Sequence, residues 1–350
     1  MKKSSQKSRS KLLWSVLFVL IAAATVWAVL SQSRSFSLRT FVSYASGMSK
    51  PWLAMALLSM LGFIVFEGGS LAAICRAFGY PVSLRRAFIY SASDIYVSAI
   101  TPSASGGQPA CAWFMIRDGI PGMVVTVALL ANLSMYAISI LVLGMITLLI
   151  RPDVFASFGL LSRALVILGY VVQSALAAFF VMLLLKGDLL HKICRKALHL
   201  LCRIRLLKQE EEKQRGLDQK MEEYAAYAGM IKKHRRAMGK SFFCNMLQRA
   251  SVISVPFFVF LAAGGGPAKA GDIWAVQCYT VIGSNAVPIP GAMGVSDYIM
   301  LDGFGKVIPY QDAVNFELLS RSLSCYVCVA LFGITVLIKY LHQRKREREK

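Results

Sequence analysis

Acid is scarce in this chain, and its scarcity narrows the possibilities. Asp and Glu number 18 against 39 Lys and Arg in 350 residues, a net charge of +21, and charged residues of both signs make up only 16%. So basic a balance can mean a nucleic-acid partner, but here the positive residues gather between apolar blocks, and no nucleic acid is expected. Histidines number four: His191, His199, His234 and His342. All lie in basic stretches, and none has Cys, Asp or Glu at zinc-ligand spacing. Gly239-Lys240-Ser241 has the ending of a phosphate loop, but His234 stands where that loop needs glycine, so no ATP site is expected. A Gly-x-Ser-x-Gly elbow is missing too. The eight cysteines form no pair in an outer loop, which argues against a disulfide framework. Cys325 and Cys328 share a helix face at i,i+3 and read as small packing residues rather than a metal or redox pair. No catalytic residue, metal or cofactor is expected.

Apolar sequence is abundant. The hydrophobic fraction is 56% and the mean hydropathy +0.57, against roughly 45–50% apolar in soluble domains. The excess sits in blocks long enough to cross the ~30 Å hydrocarbon layer as helices. Six such blocks are Leu12–Leu30, Trp52–Ala73, Met123–Ile150, Ala164–Leu185, Phe242–Ala263 and Ala313–Ile338. The first has a basic start like a signal peptide, but its apolar run is too long and Leu30 is not a small cleavage residue, so it reads as an uncleaved anchor.

Two further apolar stretches are interrupted. Ala87–Ile116 breaks at Thr101-Pro102-Ser103-Ala104-Ser105-Gly106-Gly107-Gln108-Pro109, and Asp272–Ile308 breaks at Pro288-Ile289-Pro290-Gly291-Ala292-Met293-Gly294. Proline removes a backbone donor and clashes with the preceding turn, and glycine weakens what remains. Each half is too short to span alone, so both stretches read as re-entrant hairpins. The fold expected is all-α: a polytopic membrane helix bundle of six full spans and two broken-helix hairpins, one unit over residues 1–350. With both hairpins returning to their side of entry, Lys and Arg divide 30 to 7 in favour of the side holding both termini, with Arg249 and Arg321 inside spans. The positive-inside rule then places the N and C termini in the cytoplasm of a plasma-membrane protein. The hairpins enter from opposite sides, as an inverted repeat would have it, and broken helices in matching places of two halves point to a transport site.

At the first break, the hydroxyls of Thr101, Ser103 and Ser105 can cap a helix start, and Pro109 suits a first turn. Free N–H groups there would favour an anion such as a lipid phosphate, with Gly106, Gly107 and Gln108 allowing close approach. A kink packed against neighbouring helices is the alternative. The second break supplies Asn285, Pro290, Gly291, Gly294 and Asp297 in the mirrored place. Charges inside spans are costly and face cavities or partners. Of these, Asp94 and Asp297 read as binding residues, Glu67 and Arg249 as a stabilising pair between helices, and Glu317 with Arg321 as a local i,i+4 pair. Lys186–Lys240 holds 15 basic and 7 acidic residues. Leu190, Ile193, Ala197, Leu201 and Ile204 recur there at helical spacing among Lys192, Arg195, Lys196, Arg203 and Arg205, and Leu217, Met221, Tyr224, Ala228 and Ile231 make a second stripe. The segment reads either as a basic amphipathic helix on anionic lipid or as a solvated cytoplasmic linker; a basic tail follows over 339–350.

The run SAITPSASGGQPACAWFMIRDG from Ser98 to Gly119 resembles the signature of the lysylphosphatidylglycerol synthase membrane region, also called the flippase-like domain. VPIPGAMGVSDYIM is similar to that family's Pro-x-Pro-Gly-x-x-Gly-x-x-acid element, with Asp297 where Glu is often found. The resemblance runs from the first span to the tail. It implies movement between leaflets, or binding, of an anionic, aminoacylated or polyprenyl lipid such as lysyl-phosphatidylglycerol. Full-length members add a cytosolic domain that transfers lysine from lysyl-tRNA to phosphatidylglycerol. This sequence shows only the membrane part, so phosphatidylglycerol lysyltransferase activity stands as the alternative, with a small-solute transporter or a membrane scaffold after it. Membrane lipids are the expected partners, and a separate synthase and a second copy of the chain are further candidates.

Overall fold

Long apolar runs with few interior charges favour a backbone that satisfies its own polar groups within each run, and every regular element among the described residues is a helix. The computed structural model describes residues 42, 46–101, 106–203, 210–285, 294–326, 332–333 and 335–336. The span expected at Leu12–Leu30 lies outside them, and so does most of the last one beyond Tyr326. Among the described residues, four helices are long and apolar enough to cross a bilayer: α1 (Lys50–Ala77), α4 (Gly122–Ile150), α6 (Leu160–Leu185) and α9 (Arg235–Ala262). Between α1 and α4 stand the shorter α2 (Leu84–Ile100) and α3 (Gly107–Arg117). A short α5 (Pro152–Ser157) precedes α6. Then come α7 (Gly187–Arg203) and α8 (Glu210–Lys233). After α9 follow α10 (Pro267–Asn285), α11 (Val295–Val307) and α12 (Tyr310–Arg321), the last running into a π-helical turn at Ser322–Tyr326.

The bundle is built on α1 and α9. They run antiparallel, with the Ser49 N–H donating to the carbonyl of Ala262 at 2.9 Å. Small residues let them close up: a Cβ on Gly62 would lie 3.0 Å from Ser251 Oγ, as expected where helices associate in lipid through close backbone approach. A polar knot ties α4 to this pair. Asn245 Nδ2 donates to Ser70 Oγ (2.9 Å), Asn132 Oδ1 (3.1 Å) and the Ser241 carbonyl (3.0 Å), and Ser70 Oγ donates to Asn132 Oδ1 at 2.5 Å. All four side chains are buried.

The outer faces read differently. Leu160, Leu161, Ile167, Leu168, Val171 and Phe179 of α6 are exposed. Such a continuous apolar surface is untenable in water and ordinary against lipid tails.

Both interrupted stretches fold back on themselves. In the first, the Tyr90 hydroxyl near the start of α2 donates to Asp118 Oδ2 just past the end of α3 (2.9 Å). In the second, Lys269 Nζ near the start of α10 donates to the Val307 carbonyl at the end of α11 (3.4 Å). The α2–α3 pair opens at the end of the bundle where α1 finishes, and α10–α11 at the end where α9 finishes.

The polar stretch between α6 and α9 is a pair of packed helices. α8 buries the expected stripe of Tyr224, Ala228 and Ile231. Tyr224 donates its hydroxyl to the Leu183 carbonyl of α6 at 3.0 Å.

Candidate functional site

The first hairpin holds a buried carboxylate in a fixed setting. Thr101 ends α2 and turns the chain: its Oγ1 donates to the Val97 carbonyl (2.7 Å) and accepts from the Gly106 N–H (3.0 Å). That bond fixes the start of α3, where Gly106 is the N-cap residue. Across the hairpin, Asp94 Oδ2 accepts from Gln108 Nε2 at 2.7 Å and Oδ1 from Ser98 Oγ at 3.2 Å. The two glycines serve the contact between α2 and α3. A Cβ on Gly107 would meet the Asp94 carboxylate, Ser98 Oγ and, at 2.5 Å, the Asp94 carbonyl. One on Gly106 would lie 2.6 Å from the Thr101 methyl and 2.9 Å from Val97. Where the sequence suggested room for a ligand beside these glycines, the structure puts the other helix of the hairpin.

Asp94 is not alone. Glu67 of α1 sits against it, with Gln248 of α9 on its other side and the Arg249 charge nearby. Both carboxylates are only 6% exposed, and Glu67 Oε2 has no hydrogen-bond partner. The expected Glu67–Arg249 pair takes a different form. Among the described residues no ion pair joins them; Arg249 Nε donates to Gln248 Oε1 (3.0 Å) and Nη1 to the Tyr136 hydroxyl (3.4 Å). The guanidinium lies 4.4 Å from the Tyr136 ring centroid and 5.1 Å from that of Phe63, a setting in which cation–π attraction stands in for a counter-ion. Four helices thus bring together two carboxyl groups, two amides and one arginine.

The second hairpin is organised around its own ion pairs. Gly294, at φ +84°, opens α11, a backbone conformation that glycine adopts without strain. Its N–H donates to Asp297 Oδ2 at 2.9 Å. Asp297 is also paired with Arg321 of α12, whose Nε lies 3.5 Å from Glu317 Oε1 and whose Nη2 donates to Ser296 Oγ at 2.5 Å. The start of α11 therefore already carries an internal anion, the favourable charge for a helix N-terminus, and Arg321 balances it. The expected i,i+4 pair of Glu317 and Arg321 is part of this set.

Of the residues singled out from sequence, Asp94, Thr101, Gly106, Gly107 and Gln108 come together in the first hairpin. Gly294 and Asp297 do so in the second, and Asn285 is exposed at the end of α10. Ser103, Ser105, Pro290 and Gly291 lie outside the described residues. Gln248, Tyr136 and Phe63 were not singled out. Ser241, Asn245 and Gln248 recur at helical spacing through an apolar run, a pattern that marks the polar face of α9.

Both breaks and this buried cluster sit within a stretch that matches a known family. Residues 12–331 match the lysylphosphatidylglycerol synthase TM region. The chain belongs to that family. Its resemblance through the Ser98–Gly119 and Val287–Met300 runs is therefore carried by nearly the whole sequence, and it is a multi-pass membrane protein. No curated protein matches the chain.

Proposed function

We propose that this chain translocates, or binds for translocation, a phospholipid with an anionic or aminoacylated head group, such as lysyl-phosphatidylglycerol. In this reading it lies in the plasma membrane with both termini in the cytoplasm, and its six spans and two hairpins form an inverted repeat that rocks to alternate access. The observation that carries the proposal is the buried Glu67–Asp94–Gln108–Gln248–Arg249 cluster with its unpartnered carboxylate oxygen. An ionisable group inside a membrane is expensive to keep and marks a substrate path. Here the two signs of charge are held close without neutralising one another. Arg249 offers a planar donor fork suited to a phosphate, and the two carboxylates can accept from an ammonium on an aminoacyl ester.

The test is lipid movement in liposomes reconstituted with purified protein, using head-group-labelled phosphatidylglycerol and lysyl-phosphatidylglycerol. Glu67→Gln and Asp94→Asn keep the shape and remove the charge. Loss of one hydrogen bond to a charged partner is worth ~1.5–3 kcal/mol, so each variant should slow movement about tenfold or more while unfolding at a temperature close to the parent's. Parent rates in both variants would overturn the proposal. Formation of lysyl-phosphatidylglycerol from lysyl-tRNA and phosphatidylglycerol by the purified chain would move the function to lysyl transfer.

A further inference from the structure

The helix that follows α6 has a face that the bundle does not use. Only Lys186 separates the end of the α6 span from the start of α7, so α7 is held at the level where α6 leaves the hydrocarbon. Its inner side is accounted for. A Cβ on Gly187 would lie 3.7 Å from the Tyr224 ring, Leu190 packs on the buried core, and His191 Nε2 is 2.6 Å from Asp218 Oδ1 of α8. α8 in turn is tucked beneath α4, α6 and α9, whereas α7 packs chiefly on α8 and the end of α6. α7 therefore lies at the rim of the bundle, over the surrounding lipid.

The remaining face carries Lys192, Arg195 and Lys196, all exposed, at positions i, i+3 and i+4. Among the described residues none of the three is in an ion pair. The exposed acids Asp218, Glu222 and Glu223 belong to α8. Beside the basic positions Ile193 is 40% exposed, an apolar side chain that the protein leaves partly open. Basic side chains around an apolar one, on a helix at the bilayer boundary, match the chemistry of an interface of anionic head groups above acyl chains.

We infer that the Lys192–Arg195–Lys196 face of α7 binds the anionic lipid surface next to α6, with Ile193 dipping below the head groups. This is a surface apart from the buried cluster and does not depend on what the cluster transports. Contact with lipid phosphate there would fix the angle of the α7–α8 pair beneath the bundle and make it responsive to the anionic lipid content of the leaflet.

The test places the photo-crosslinking residue p-benzoylphenylalanine at Ile193 in the full chain, held in nanodiscs of phosphatidylcholine alone or with about 30% phosphatidylglycerol. Intact-mass spectrometry after illumination counts lipid adducts. Adducts at position 193 should rise at least about fivefold with phosphatidylglycerol and fall back in the Lys192→Glu, Arg195→Glu, Lys196→Glu triple variant. The same crosslinker at the exposed Gln219 of α8 should give few adducts in either disc. Equal yields in both lipid compositions, equal yields at 193 and 219, or crosslinks from 193 to a second copy of the chain or to another protein would each overturn the inference.

Discussion

Asn245 and Ser70 carry the knot at the centre of the bundle, each with three polar contacts. The two amide hydrogens of Asn245 are shared among three acceptors: side chains of α1 and α4 and a carbonyl of its own helix. Two magnitudes compete in deciding what the residue is worth. Hydrogen bonds between membrane helices average only ~0.6 kcal/mol and reach ~1.7, because the unfolded chain in lipid finds other partners. Leaving a buried acceptor unmade costs ~1–3 kcal/mol. Asn245→Ala bears on both: it takes the amide donor from Ser70 Oγ and one of two donors from Asn132 Oδ1, which keeps its bond from Ser70. The loss should total ~2 kcal/mol, seen as an unfolding midpoint in detergent several degrees lower. A double-mutant cycle with Ser70→Ala should give a coupling of ~0.5 kcal/mol or more. An unchanged midpoint would mean the knot fills space without holding the helices together.

At the scale of elements, the interruptions were legible in the sequence because proline and glycine act locally. Pro102 cannot extend α2, glycine weakens a helix and Pro109 fits only a first turn, and α2 stops at Ile100 while α3 starts at Gly107. Which side chains would face the break was not legible. Glu67 reaches Asp94 from a helix 27 residues away, Gln248 reaches Glu67 from one 181 residues away, and in helices as uniformly apolar as α1 the pattern gives little hint of rotation. The glycines show the same division. Their position was readable, but their use was not: Gly107 is where the backbones of α2 and α3 touch. Gly107→Ala should therefore act on the hairpin and not on head-group access. The Cβ would sit 2.5 Å from the Asp94 carbonyl, closer than packed atoms tolerate, and backbone cannot swing aside as a side chain does. The variant should lose ~1–3 kcal/mol or more of stability and show reduced folded yield by size-exclusion chromatography. Gly216→Ala, in a helix where nothing lies within 4 Å of the added carbon, should express like the parent. Equal yields for the two would show that α2 and α3 do not close on one another.

At the scale of the whole molecule, two kinds of information converge on one orientation without either requiring the other. The charge count comes from loops: on a topology of six spans and two re-entrant hairpins, 30 Lys and Arg fall on one side and 7 on the other. The antiparallel closure of α1 on α9, and the opposite openings of the α2–α3 and α10–α11 hairpins, come from packing. Together they require that the α7–α8 pair and the turn between α9 and α10 lie on opposite faces of the membrane. Positive charge in short loops and near span ends resists translocation, so the α7–α8 side should be cytoplasmic. Cysteine placed at Gln219 or at Gly266, both exposed, separates the possibilities when native cysteines are first blocked. With a membrane-impermeant maleimide applied to intact cells, the Gly266→Cys variant should label and the Gln219→Cys variant should label only after the membrane is opened. If both label from outside, the chain crosses an even number of times between them, which α9 as the single span there does not provide, and the inverted arrangement of the hairpins falls with it. If neither labels until the membrane is opened, α9 does not span, and the buried cluster built on it would have to lie at a surface, where Glu67 and Asp94 would have no reason to be shielded from water.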